Sequence, residues 1–135
     1  MLFVVYGTLR TGEHFHDVFG EFGEITESVE IELKGFKMFD LGAFPAAFKT
    51  CNDHDKMVVE VLTFEPYNGS EYNTKNCIKV LDNIEGVDRG LYIKEYIQIN
   101  GFKEKALIYI MSDNELIKQF ERAKYPIIID WKDRF

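Results

Sequence analysis

The chain has 135 residues, the size of one domain, and its 46% hydrophobic and 15% aromatic content excludes a disordered chain. A net charge of −7 argues against a nucleic-acid footprint, which needs clustered positive charge. Two cysteines, Cys51 and Cys77, are too few and too far apart for a disulfide framework or a CxxC site, and read as free thiols of a reducing compartment. The apolar run at residues 2–6 is far shorter than a membrane span and has no basic segment or cleavage site beside it, so a single cytoplasmic domain over residues 1–135 is expected, with no membrane or nucleic-acid partner.

Leu2-Phe3-Val4-Val5-Tyr6 is continuously apolar, the pattern of a strand buried on both faces in the middle of a sheet. It stops at Gly7-Thr8-Leu9-Arg10-Thr11-Gly12, a loop leaving the strand end. Phe15, Val18, Phe19 and Phe22 then fit one face of a short helix over residues 14–22. Val29, Ile31 and Leu33 alternate with Glu30, Glu32 and Lys34, which predicts a half-exposed strand that Gly35 interrupts. Residues 36–41 read as a continuation of that sheet, and Gly42 with Pro45 marks a turn.

Residues 57–64 form a further strand, ended by Pro66, Asn68 and Gly69. Asn73 or Thr74 is expected to cap a helix that runs to Glu85, with Ile78, Leu81 and Ile84 on one side and Gly86 as its stop. Alternation over residues 92–99, a turn at Asn100-Gly101 and an apolar run at 105–111 predict a hairpin. Ser112 and Glu115 have capping-box spacing before another short helix. The tail, residues 125–135, is too apolar to be loose and is expected to pack on the body. Hairpin-linked strands outnumber helices, so the fold class is α+β with a mixed, curved, barrel-like sheet and a few short helices.

The standard phosphate-binding, dinucleotide, zinc-protease and nucleophile-elbow motifs are absent from the sequence. His14, His16 and Asp17, with His54 and Asp55 as a second pair, are the nearest approach to a ligand set. Two His at i and i+2 share a face only on a strand, however, and this segment reads as helix or loop, so no metal is assigned. Glu85 is more informative. It lies four residues beyond Leu81 and seven beyond Ile78, on the stripe that should be buried. Desolvation, Asp82 one turn earlier and the negative end of the helix dipole would all raise its pKa toward that of a general acid/base. The alternative is that Glu85 leans to solvent or pairs with Arg89 or Lys94. The second candidate is Tyr6, Gly7, Thr8 and Leu9, whose backbone N–H groups at a strand end are suited to an anion or a developing oxyanion. Tyr6, Tyr92, Tyr96, Tyr109 and Tyr125 are candidates to line a pocket or to fill core.

Val5-Tyr6-Gly7-Thr8-Leu9-Arg10-Thr11-Gly12 resembles the opening signature of the gamma-glutamylcyclotransferase-like family, which includes AIG2-like proteins and gamma-glutamylamine cyclotransferases. Further pieces follow in order. Gly42-Ala43-Phe44-Pro45-Ala46 resembles the family's G-x-[YF]-P-A turn, residues 58–64 its middle strand, Leu81-Asp82-Asn83-Ile84-Glu85-Gly86 its LDxxEG helix end, and Tyr92-Ile93-Lys94 its Y-x-R strand start. The likeness continues through residues 106–109 to Asp130-Trp131.

The resemblance implies the small α+β fold of that family and a reaction with no cofactor. A gamma-glutamyl compound is cyclised by its own alpha-amine, which releases 5-oxoproline and an amine or amino acid. Glu85 aligns with the family's general acid/base, and Tyr6, Gly7, Thr8 and Leu9 with its segment for the glutamyl part. Arg10, Pro45, Tyr92 and Tyr109 are further candidates for the pocket. The expected partner is a small gamma-glutamyl substrate, and the oligomeric state is left open. Two positions depart from the family pattern, Val59 where a glycine is usual and Lys94 in place of arginine. They motivate the alternative reading of a catalytically inactive ligand- or protein-binding module.

Overall fold

The computed structural model describes residues 1–133. Eight strands form two sheets. They are β1 (Leu2–Val5), β2 (Gly23–Lys34), β3 (Phe36–Asp40), β4 (Pro45–Lys49), β5 (Lys56–Pro66), β6 (Ile93–Ile97), β7 (Ala106–Ile110) and β8 (Ile127–Ile128). The larger sheet has the order β2-β5-β1-β7-β6 and the smaller one β4-β3-β8. Within the larger sheet β1 pairs with β7 in parallel and the other described pairings are antiparallel, so this sheet is mixed. Two α-helices accompany them, α1 (Glu71–Glu85) and α2 (Asn114–Arg122).

β1 lies between β5 and β7, as its unbroken apolar run predicts, and is buried on both faces. Phe3 and Val5 face one core with Leu62, Phe64, Leu107 and the helix residues Cys77 and Leu81. Leu2 and Val4 face the other, with Met38, Val61, Ile108 and Trp131. The sheets do not close into a continuous barrel. Single links join their margins: Met111 N–H donates to the Ala47 carbonyl at 2.7 Å beyond β7, and Val58 N–H to the Ile129 carbonyl at 2.7 Å beyond β8. This is the physical content of the curved, barrel-like expectation.

Several boundaries differ from the sequence reading, each for a local reason. The segment expected as a helix over residues 14–22 is a 3-10 helix, His16–Glu21, with only Phe19 fully buried. Residues 36–41 do not extend the sheet of β2, because Gly35, at φ +84°, turns the chain into the second sheet. Helix α1 begins before Asn73, since the Ser70 carbonyl already accepts from the Asn73 and Thr74 N–H groups at 3.1 and 3.4 Å. Asp113, not Ser112, caps α2, its Oδ1 accepting from Glu115 N–H and Leu116 N–H at 3.0 and 3.2 Å. The β6–β7 connection turns at Gly101 but is longer than a two-residue hairpin, since the ladder ends at Ile97 opposite Ala106. The tail packs back as expected, with β8 on β3 and Trp131 wholly buried. Its last two residues lie outside the described ones.

Candidate functional site

A cavity of about 400 Å³ opens between the loop after β1, the turn before β4 and the end of α1. Tyr6, Gly7, Thr8, Leu9, Pro45, Glu85, Tyr92 and Tyr109 all line it. Residues far apart in the chain meet here because β1 and β7 are parallel neighbours and α1 packs on the same face.

Glu85 ends α1, and Gly86 takes the left-handed conformation at φ +67° that closes the helix, as the sequence predicts. The carboxylate is half-buried and meets no hydrogen-bond donor or ion-pair partner among the described residues. Burial alone pushes it up to about 7. Asp82, expected to contribute by repulsion, is instead neutralised locally: Lys94 Nζ donates to its Oδ2 at 2.9 Å and the Tyr109 hydroxyl to its Oδ1 at 2.8 Å. Neither Arg89 nor Lys94 pairs with Glu85.

The tyrosine hydroxyls are committed elsewhere. Tyr6 donates to the Tyr109 carbonyl at 2.5 Å and Tyr92 to the Pro45 carbonyl at 2.8 Å. Burial, with smaller contributions from neighbouring charges, raises the pKa of Tyr6, Tyr92 and Tyr109, so all three are neutral donors at physiological pH. They form part of the pocket wall, which Glu85 and His14 also line. Tyr96 and Tyr125 lie elsewhere, the first exposed on β6 and the second beside a groove near β3.

The loop after β1 is tightly turned. Arg10 N–H donates to the Gly7 carbonyl at 2.9 Å, and Phe15 N–H to the Thr8 carbonyl at 2.8 Å. His16 Nδ1 lies 2.9 Å from the Leu9 carbonyl, so in this contact Nδ1 carries the proton. The N–H groups of Gly7, Thr8 and Leu9 meet no acceptor among the described residues. Glycine at position 7 has a steric cause: a Cβ there would lie 2.3 Å from Cγ of Pro45.

Arg10, expected near the pocket, is not among its lining residues. Its fully buried guanidinium points the other way, into three carboxylates: Nε to Glu60 at 2.6 Å, Nη1 to Asp130 at 2.6 Å and Nη2 to Glu30 at 2.7 Å. Burial raises the Glu60 pKa, but hydrogen bonds from Arg10 and from Thr11 outweigh it and hold the carboxyl at about 2. Arg10 therefore clamps the pocket loop to β2, β5 and the C-terminal segment. The spacing of single residues along the chain carried no signal of this network, whose members come from four separate segments. The pocket also contains residues not assigned to it from the sequence, chiefly Phe44, Arg89 and Leu91. Arg89 and Leu91 flank Gly90, four and six residues beyond Glu85.

Cys51 is exposed and Cys77 buried, both as free thiols, and burial pushes Cys77 up to about 12, unsuited to a nucleophile. His14 lines the cavity, whereas His54 lies in the loop before β5, donating its backbone N–H to the Asn52 side chain. No helix among the described residues is long and apolar enough to cross a membrane.

The profile of the family described as gamma-glutamyl cyclotransferase, AIG2-like, matches residues 3–132. Two solved structures from Escherichia coli share the fold. The crystal structure of c4763, described as a uropathogenic E. coli-specific protein, is 12% identical with a TM-score of 0.63, over 97% of this chain and 91% of that one. The solution structure of ytfP is 19% identical with a TM-score of 0.52, over 99% of this chain and 98% of that one. No curated protein sequence matches the chain significantly.

Proposed function

The chain belongs to the gamma-glutamyl cyclotransferase, AIG2-like family, and on that footing we propose that it cyclises a small gamma-glutamyl compound to 5-oxoproline with release of an amine. One observation carries this reading. Glu85, with no partner among the described residues and its pKa pushed up to about 7, lines the same cavity as Gly7, Thr8 and Leu9, whose N–H groups meet no acceptor there.

The chemistry needs little more. The ionised Glu85 takes a proton from the substrate's alpha-ammonium, and the freed amine attacks the gamma-carbonyl carbon. A ring C–N bond forms and the carbonyl electron pair moves to oxygen. When the carbonyl re-forms, the original amide C–N bond breaks, Glu85 returns the proton to the departing nitrogen, and the ring nitrogen gives up its second proton to the released amine, which leaves as an ammonium. A group with a pKa near neutrality suits both directions of transfer. The N–H groups of the loop hold the glutamyl carboxylate and fold the substrate over. Such positioning lowers an intramolecular barrier by roughly 7–11 kcal/mol.

Val59 and Lys94 motivated the reading as an inactive binding module. Val59 is wholly buried in the core and Lys94 pairs with Asp82, and neither lines the cavity. Both departures therefore leave the walls of the pocket unaltered. The test is a mass-spectrometric screen of gamma-glutamyl amines, amino acids and peptides for 5-oxoproline, with Glu85→Gln alongside. Release by the wild type that the variant lacks supports the reading; release by a folded Glu85→Gln at the wild-type rate refutes it.

A further inference from the structure

We propose that Arg89 selects the leaving half of the substrate by its carboxylate, so that the pocket prefers gamma-glutamyl amino acids to gamma-glutamyl amines that lack this group. The inference rests on the cyclisation reading and names the substrate class within it.

Residues 86–91 form a compact loop. Arg89 N–H and Leu91 N–H both donate to the Gly86 carbonyl, at 3.0 and 3.1 Å, and Gly90 N–H to the Val87 carbonyl at 3.1 Å. Gly86 and Gly90 take φ of +67° and +72°, which lets the chain double back. Arg89 and Leu91 consequently fold over the helix end. Arg89 Nη2 and Leu91 Cδ1 lie 2.9 and 2.7 Å from where a Cβ on Gly86 would sit.

This puts Arg89, exposed and without an ion pair to any described residue, in the wall of the cavity that Glu85 also lines. Its sequence neighbour Asp88 lines a different groove, with Asn76 and Lys79. A planar fork of N–H donors in a pocket is matched by a carboxylate supplied by the ligand. A gamma-glutamyl compound brings one carboxylate on its glutamyl half, which the loop after β1 can serve through three unpaired N–H groups. The anion left for Arg89 is that of a leaving amino acid. Phe44 and Leu91, 43% and 40% exposed at the same cavity, offer apolar surface to that amino acid's side chain.

The test reads binding without turnover. Glu85→Gln protein and the Glu85→Gln/Arg89→Met double variant are titrated calorimetrically with gamma-glutamyl-leucine and gamma-glutamyl-isopentylamine, identical but for the leaving carboxylate. Glu85→Gln is expected to bind the dipeptide about 10-fold more tightly than the amine compound. Arg89→Met should abolish this preference and leave the Kd of the amine compound within ~2-fold, while Arg89→Lys should restore part of it. Equal affinity for the two compounds overturns the inference, as does absence of binding by either. A parallel loss on both with Arg89→Met also overturns it, because it puts Arg89 on the shared glutamyl carboxylate. The cyclisation reading fails separately, if wild-type protein binds with this preference yet releases no 5-oxoproline.

Discussion

At the scale of single residues, Glu85 sets a conflict between stability and function. Its pKa is about 7 in the folded chain against an ordinary value of 4.5. The protonated form is favoured on folding, so the associated stability is fully present below about pH 4.5 and is lost as the pH rises through about 7. Glu85→Gln, which cannot ionise, should therefore match the wild type at pH 4.5 and be more stable by about 1–3 kcal/mol at pH 8, read by denaturant melts at the two pH values. The same group, acting as base in its ionised form, should give kcat/KM an acid limb with a midpoint near pH 7. The helical stripe through Leu81 was enough to mark Glu85 as an unusual carboxylate. Of the three causes expected for its raised pKa, burial is the one that acts; what the stripe did not reveal is that Lys94 and Tyr109 occupy Asp82.

At the scale of elements, the loop after β1 is shaped by what stands behind it. Gly7 is required because the Pro45 ring fills the space of a side chain. Gly7→Ala should push the loop and the turn before β4 apart, lowering turnover of any substrate of the wild type by at least about 10-fold while circular dichroism keeps the sheet signal, as small misplacements of a positioned substrate do. The strong elements were readable in the sequence: the buried run of β1, the alternation in β2 and the stop of α1 at Gly86 each have one dominant physical signal. Boundaries shifted where two residues of similar capping strength stood side by side, as when Asp113 rather than Ser112 caps α2. The second sheet was not legible, since the turn at Gly35 does not say which strand the chain will join next.

For the molecule as a whole, the clamp at Arg10 is the feature that links sheet, loop and tail. Four segments contribute to it, and Lys132 adds a hydrogen bond from its Nζ to the Thr11 carbonyl at 3.1 Å. Removing one partner leaves charge buried without compensation, so Arg10→Met should cost about 3–5 kcal/mol in denaturant unfolding. Glu60, held at about 2, contributes stability present above its ordinary 4.5 and lost as the pH falls through about 2. The stability gap between wild type and Glu60→Gln should accordingly narrow between pH 4.5 and 2. Arg10 stood next to the loop in sequence, yet only its surroundings in space separate a clamp from a pocket residue. The fold thus fixes from behind a loop whose residues 6–9 line the cavity in front.

The proposed role of Glu85 is to carry the proton in a cyclisation the substrate performs on itself. Its most direct measurement is 5-oxoproline release from gamma-glutamyl amino acids by wild type and Glu85→Gln, quantified by mass spectrometry at pH 8 on folded protein. Turnover reduced about 10²–10⁴-fold in the variant is the predicted result. A folded Glu85→Gln protein that releases 5-oxoproline as fast as the wild type would contradict it.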